Sequence, residues 1–210
     1  MSDDELARVI EAAREIGGPY GGIVELLALT AQRREEVAQM IWDELDLGNR
    51  LWTIPGTRTK NGKPHLVHLS EAALRVITSR PRTGPYVFAI GEKRYRNFPN
   101  DKRKLDTLAA VSGWRLHDLR RTAVSGMARL GVPPHVADKI LNHTAGTISG
   151  VAAVYQRHEF LAERTKALDA WARHLELIVS RAVIAAEDCP AAVSSTEGRS
   201  LESTEELSAA

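Results

Sequence analysis

The first forty positions alternate apolar and polar residues with a period of three to four, which predicts amphipathic helices. Ser2-Asp3-Asp4-Glu5 is a capping-box pattern, and it predicts a helix that extends to about Ile16. The same periodicity predicts a second helix over residues 20–30 and a short third helix over residues 34–40. The N-terminal part of the chain is therefore predicted to be helical.

The pattern changes after residue 50. Residues 50–54 and 65–69 have strand composition, and Asn61-Gly62 between them is a two-residue turn signal, so a β-hairpin is predicted with Lys60 just before its turn. Helical periodicity then returns over residues 71–79, 102–111, 117–130, 133–142, 151–157 and 159–184. The predicted fold class is mainly α with a small antiparallel β-sheet (α+β).

Charge is distributed unevenly along the chain. Residues 50–130 have 17 basic and 5 acidic side chains, a net charge of +12, whereas residues 1–49 have a net charge of −7. Phosphate binding follows local charge, so this block favours a nucleic-acid partner, although a solvated basic face is the simpler alternative. Residues 185–210 have a net charge of −5 and no periodicity, and we expect a disordered acidic tail after a domain of residues 1–184.

Several classes of protein are excluded by what the sequence lacks. It has no run of 18 apolar residues, and its acidic N-terminus lacks the apolar core of a secretory signal. Cys189 is the only cysteine, so no disulfide can form within the chain. Phosphate-binding Gly-rich loops, Gly-x-Ser-x-Gly and His-Glu-x-x-His are absent. We expect a cytoplasmic protein that does not contact a membrane.

Two pairs of side chains, each three residues apart, suit phosphate binding. Arg33 and Glu36 share one face of a predicted helix, where an exposed ion pair is the simplest interpretation. His117 and Arg120 lie in the first turn of an apolar helix, where free N–H groups and the helix dipole favour anions. The alternative for the second pair is a helix-turn-helix, with residues 133–142 as its second helix.

Three further residues indicate a function only when they are considered together with the other candidates. Alone, Lys60 is a surface lysine, His143 a helix-end histidine and Tyr155 a half-buried aromatic residue. Together with the two arginines and His117, they supply what metal-free attack on a phosphodiester requires. These requirements are positive charge at the phosphate, groups that transfer protons and an oxygen nucleophile.

Taken in order, these segments resemble the catalytic domain of the tyrosine recombinase family, specifically the phage or genomic-island integrases. The resemblance covers about residues 3–175. His-x-x-Arg is common by itself, but six ordered segments that end in a tyrosine are specific. The matching segments are LTAQRREEV (29–37), RTKNG (58–62), LHDLRRT (116–122), LGVPP (130–134), LNH (141–143) and VAAVY (151–155).

The resemblance implies a mostly helical domain with a small sheet that binds duplex DNA. It implies that Arg33 and Arg120 contact the scissile phosphate, that Glu36 orients the arginine site and that His143 donates a hydrogen bond to the phosphate. No cofactor, ATP or metal ion is expected. The implied partners are double-stranded DNA, further copies of the chain as a tetramer on DNA, and accessory DNA-bending or excisionase proteins.

The resemblance also implies the groups that move protons and form bonds. Lys60 is the expected acid that protonates the leaving 5′ oxygen, and His117 is expected to assist proton transfer from the nucleophile. Tyr155 is expected to form a 3′-phosphotyrosyl link that another strand can resolve. A bacterial or phage-encoded enzyme for DNA integration and excision is the implied function.

The sequence departs from the family pattern at three places. Ala31 lies where glycine is usual, and alanine is strained if φ is positive there. Asn142 lies where many members have glycine, and asparagine tolerates the left-handed conformation better. The catalytic helices begin at residue 3, so we expect no N-terminal arm-binding and core-binding domains, as in a fragment or a shortened gene. The alternatives are a truncated DNA-binding remnant without activity and a type IB topoisomerase.

Overall fold

The computed structural model describes residues 1–143 and 160–187 and is mostly helical. The helices are α1 (Asp3–Ile16), α2 (Gly18–Thr30), α3 (Arg34–Ala38), α4 (Glu71–Thr78), α5 (Phe98–Ala109), α6 (Leu116–Arg129), α7 (Pro134–Ile140) and α8 (Leu161–Glu187). The strands are β1 (Leu45–Asp46), β2 (Leu51–Ile54), β3 (His65–His68), β4 (Ala89–Ile90) and β5 (Lys93–Arg94). The helix predicted over residues 151–157 and most of the predicted tail lie outside the described residues.

The helix α2 forms the centre of the helical layer because it is apolar on every side. It contacts α1, α4, α6 and α8. The fully buried Trp171 of α8 donates its indole N–H to the carbonyl oxygen of Ala28 in α2, at 2.8 Å. A Cβ on Gly126 of α6 would lie 2.1 Å from the Trp171 ring, so only glycine permits this approach of α6 and α8. The core therefore fixes α6 against α2.

The larger sheet is antiparallel, with strand order β1-β2-β3, and β4 pairs with β5 in a separate ribbon. Trp52 is opposite Val67 in the register of β2 and β3. Along β3, His65 and Val67 are buried, whereas Leu66 and His68 are partly exposed. This alternation confirms the predicted strand pattern and places a histidine on the inner face.

The predicted β-hairpin is present, but Lys60 lies within the turn of its connection and not just before it, because the backbone N–H of Gly62 donates to Thr59 O at 3.4 Å. Ile54 pairs with His65, so ten residues, 55–64, connect β2 to β3. Pro55 and Pro64 are the first and last residues of this connection. Because proline has no N–H donor, the hydrogen-bond ladder between β2 and β3 cannot extend further. The connection contains a 3₁₀ turn and folds back on itself.

Two alanines adopt the left-handed conformation at helix C-termini. The φ angle of Ala31 after α2 is 55°, and that of Ala110 after α5 is 49°. The strain expected at Ala31 is therefore present, because a Cβ crowds the following carbonyl at positive φ. Asn142 also has a positive φ of 50°, which asparagine tolerates more readily.

Replacing Ala110 with glycine should stabilise the fold, because Ala110 is exposed and its substitution removes no buried contact. We expect the free energy of unfolding to rise by roughly 0.5–1 kcal/mol. Glycine removes the strain of alanine at positive φ in the folded state, and the larger conformational entropy of glycine in the unfolded state offsets part of this gain. The control is Ala128→Gly, at an exposed position inside α6, which should lower it by about 1 kcal/mol. Urea unfolding measures both, and a loss of stability in Ala110→Gly would contradict the assignment.

Candidate active site

Arg120 lies at the centre of the site and is only 4% exposed. One terminal nitrogen of its guanidinium, Nη1, donates to the carbonyl oxygen of Ala31 at 2.6 Å, and Nη2 donates to that of Leu141. Ala31 caps α2 and Leu141 caps α7, so a single side chain of α6 joins the ends of two other helices. The planar fork of arginine suits this task, since its donors leave in fixed directions.

Arg33 lies two residues after Ala31 and is anchored by a buried carboxylate. Its Nη1 donates to Glu36 Oε1 at 2.9 Å, and its backbone N–H donates to Glu36 Oε2 at 2.8 Å. Glu36 is 4% exposed, whereas the Arg33 side chain is 28% exposed. The carboxylate thus orients the guanidinium and leaves part of it open to solvent.

Arg58, which the sequence did not single out, supports this pair through hydrogen bonds. Its Nη2 donates to the carbonyl oxygen of Glu36 at 2.5 Å, and its Nη1 donates to Gln39 O at 2.7 Å and to Glu44 Oε1 at 2.6 Å. The other oxygen of Glu44 accepts the indole N–H of Trp52 at 2.9 Å. These contacts connect α3 to the larger sheet.

Arg33 lies close enough to Arg120 to lower its pKa. The pKa of Arg120 is lowered to about 10, first because of burial and then because of the positive charge of Arg33, while Glu36 acts in the opposite direction. The Arg120 side chain remains charged at neutral pH. Two neighbouring cations are stabilised by an anion that contacts both, so this region favours a phosphate.

His117 lies in the first turn of α6 beside this pair and is exposed. Its pKa is lowered, first because of partial burial and then because of the charges of Arg120 and Arg121, with a smaller contribution from Arg33. Asp118, which accepts the backbone N–H of Arg115 at 2.8 Å, opposes the shift. The neutral imidazole is therefore favoured at neutral pH, and it can accept a proton.

Lys60 and His143 lie on two segments that touch. Lys60 is exposed within the 55–64 connection. His143 follows α7, and its Nδ1 lies 3.3 Å from Asp138 Oδ1. Between the two segments, Asn61 Nδ2 donates to Asn142 Oδ1 at 2.7 Å. Tyr155 lies outside the described residues.

Two buried polar residues next to the arginines were missed from sequence. His65 is 5% exposed, and its Nε2 donates to Ile140 O at 3.1 Å. Gln32 Nε2 donates to the same oxygen at 2.9 Å. Burial above all, followed by the charge of Arg164, lowers the pKa of His65 to about 3, so it is neutral. The alternation of β3 could have indicated His65, because it shares the inner face with Val67.

A cleft of about 590 Å³ borders the site, and Arg33 and His117 line it. Aromatic rings paired with cations form part of its wall. The ammonium of Lys102 lies 3.9 Å from the centre of the Trp114 ring, and the guanidinium of Arg34 lies 4.9 Å from that of Phe98. The cleft therefore presents positive charge and ring faces beside the two arginines.

Within residues 1–143 and 160–187, no helix combines the length and apolar character needed to cross a membrane. Over the same residues, no three His, Cys, Asp or Glu side chains lie close enough together to bind a metal ion.

The comparisons with known proteins identify the class. The phage integrase family matches residues 1–160, and the chain belongs to this family. It is similar to prophage integrase IntA of Escherichia coli (strain K12), with 30% identity over 149 residues. The matched region is 69% of this chain but 36% of IntA, so the chain spans about a third of that relative.

Three solved structures share the fold, and the predicted fold class is confirmed. XerA recombinase matches with a TM-score of 0.59 and 23% identity, over 73% of this chain and 60% of that one. The integrase of mycobacterium phage Brujita matches with a TM-score of 0.61 and 18% identity, over 84% and 62%. A lambda integrase dimer bound to a COC′ core site matches with a TM-score of 0.57 and 16% identity, over 71% and 59%. This fold replaces the helix-turn-helix interpretation of α6 and α7.

The charge of Arg33 should be measurable at His117. In Arg33→Ala the pKa of His117 should rise toward its ordinary value near 6.5, because a nearby positive charge that lowers it has been removed. The control is Arg34→Ala, since Arg34 is not among the groups that shift His117. NMR titration of the imidazole measures both. An unchanged His117 pKa in Arg33→Ala, or an equal rise in the control, would show that the two side chains are not neighbours.

Proposed function

We propose that the chain is the catalytic domain of a site-specific DNA recombinase that cleaves and rejoins strands through Tyr155. The observation that carries this proposal is the convergence of Arg33, Arg120 and His117. Arg120 is fixed by two backbone carbonyls, and Arg33 is close enough to alter its pKa. Family membership and the order of the sequence motifs support the same assignment.

In the proposed reaction, the phenolic oxygen of Tyr155 attacks the scissile phosphorus while the bond from phosphorus to the 5′ oxygen breaks. His117 assists removal of the phenolic proton, and Lys60 gives a proton to the leaving 5′ oxygen. The product is a 3′-phosphotyrosyl link and a free 5′-OH. Attack by the 5′-OH of another strand reverses these steps, so no ATP is consumed.

The chemical barrier explains why the arginines are needed. A tyrosine with a pKa near 10 is mostly protonated at neutral pH and is a poor nucleophile. An arginine at a phosphoryl transition state contributes roughly 10³–10⁵ in rate, and each positioned acid or base contributes about 10²–10⁴. Arg33, Arg120 and His143 would bind the phosphate oxygens, and Glu36 would maintain the orientation of Arg33.

The proposed partners follow from the same site. The lambda integrase structure is a dimer bound to a core site, and we propose that this chain likewise binds duplex DNA and assembles on it, as a tetramer. The cationic, aromatic cleft beside Arg33 and His117 supports a DNA strand passing there. Accessory DNA-bending or excisionase proteins, a bacterial or phage origin and a cytoplasmic location complete the proposal. Residues 1–184 would be the catalytic domain and residues 185–210 an acidic tail.

The first test is covalent capture. The chain is incubated in EDTA with nicked duplexes of randomised sequence, and adducts that survive SDS are isolated and sequenced. We expect adducts on an enriched sequence for the wild-type chain and none for Tyr155→Phe, which lacks the attacking oxygen. Uniform capture without enrichment would favour a topoisomerase. A folded wild-type chain that binds DNA but yields no adduct would indicate a remnant without activity.

The second test uses the adjacent pair Arg120 and Arg121. Arg120→Lys retains the charge but loses the fork that contacts Ala31 and Leu141, so the single-turnover cleavage rate should fall by at least about 10²-fold. Arg121→Lys is the matched control, because this side chain is 75% exposed and pairs only with Asp118 among the described residues.

Both variants are first checked for folding by their melting temperature. If Arg120→Lys does not fold, Arg33→Lys replaces it, since Arg33 is more exposed. Equal cleavage rates for a folded arginine-site variant and its Arg121→Lys control would refute the assignment of these arginines to the phosphate.

A further inference from the structure

One side-chain hydrogen bond connects the segment that contains Lys60 with the segment that contains His143. Asn61, directly after Lys60, donates from Nδ2 to Oδ1 of Asn142, directly before His143, at 2.7 Å. The two asparagines are 81 positions apart, and the bond is partly buried.

The Asn142 end of this bond is rigid. The carbonyl oxygen of Ile140 accepts hydrogen bonds from Gln32 and from His65, and that of Leu141 accepts one from Arg120. These donors come from the α2–α3 junction, from β3 and from α6. The last carbonyls of α7 are thus bound from three directions, and Asn142 follows them immediately.

The Asn61 end is a folded loop that this bond connects to the end of α7. The backbone N–H of Lys63 donates to Asn61 Oδ1 at 3.1 Å, so the amide nitrogen of Asn61 is left to donate to Asn142. The hydroxyl of Thr59 donates to Lys63 O at 2.8 Å and to Gly56 O at 3.1 Å. Lys60 lies between two residues whose side chains are both bonded, while its own side chain is exposed.

We propose that Asn142 is a positioning residue for Lys60. This inference rests on the function proposed above. In the cleavage step the phenolic oxygen of Tyr155 bonds to phosphorus while the bond from phosphorus to the 5′ oxygen breaks. The leaving 5′ oxygen takes a proton from the Lys60 ammonium. Asn142 contacts neither the phosphate nor the 5′ oxygen. It fixes the loop relative to α7, and thereby the place from which Lys60 reaches the leaving group.

The choice of asparagine at position 142 agrees with this role. Its φ of 50° would suit glycine with less strain, so the backbone alone gives no reason for a side chain here. Asparagine accepts the left-handed conformation and adds the one acceptor that binds Asn61. Asn142→Gly therefore removes the bond while it preserves the backbone conformation.

The test compares two leaving groups on the captured DNA sequence. One substrate has the normal 5′ oxygen, and the other has sulfur at that position, which leaves readily as a thiolate because thiols have a pKa near 8.5 and need no acid. Asn142→Gly should cleave the oxygen substrate about tenfold more slowly than wild type, the factor that one neutral hydrogen bond contributes. It should cleave the sulfur substrate at the wild-type rate, because a misplaced Lys60 no longer matters.

Two lysine variants calibrate the experiment. Lys60→Ala should slow the oxygen substrate by roughly 10²–10⁴-fold and also be rescued by sulfur. Lys63→Ala, an exposed lysine of the same loop, should cleave both substrates at the wild-type rate. In the Lys60→Ala background, adding Asn142→Gly should cause no further loss.

The results separate this inference from the proposed function. A wild-type chain that forms no adduct with either substrate overturns the proposed function itself. When wild type and Lys60→Ala behave as expected, normal cleavage of the oxygen substrate by Asn142→Gly overturns only the positioning role. So does a slow variant that sulfur fails to rescue, because general damage to the site would slow both substrates equally.

Discussion

The fork that Arg120 forms with Ala31 and Leu141 is the interaction on which the site depends. It joins the C-terminal ends of α2 and α7 to α6, and each end leads directly to a residue of the proposed site: Arg33 follows α2 and His143 follows α7. Burying this guanidinium is costly unless its donors are bonded, and the two carbonyls satisfy them without neutralising the charge. The site therefore retains a positive charge with which an incoming anion can form an ion pair.

The second constraint is the support beneath Arg33. Glu36 neutralises part of the cluster, and its own backbone oxygen is bound by Arg58, which also contacts Glu44. The pKa of Arg120 is lowered first by burial and then by the positive charge of Arg33, and the carboxylate of Glu36 opposes this shift. The cluster is therefore net positive but internally fixed, which is the arrangement that stabilises charge as it develops on a phosphate.

Buried neutral donors complete the framework. His65 and Gln32 both bind the carbonyl oxygen of Ile140, and His65 remains neutral because burial and nearby cations oppose its protonation. A charged side chain at this position would add a further cation to the cluster. These neutral donors orient helix α7 without adding charge to the site. The Asn61–Asn142 bond connects the end of α7 to the 55–64 connection, which contains Lys60.

The sequence alone determined most helices and the strands β2 and β3, because hydrophobic periodicity and caps such as Ser2 with Glu5 are local signals. It also indicated the family and which arginines and histidines to consider. It placed Lys60 just before the turn of the β2–β3 connection, whereas Lys60 lies within that turn. Only the tertiary structure decided the contacts of Arg120 with Ala31, 89 positions away, and of Asn61 with Asn142, because contacts between distant segments depend on how the core orients whole helices.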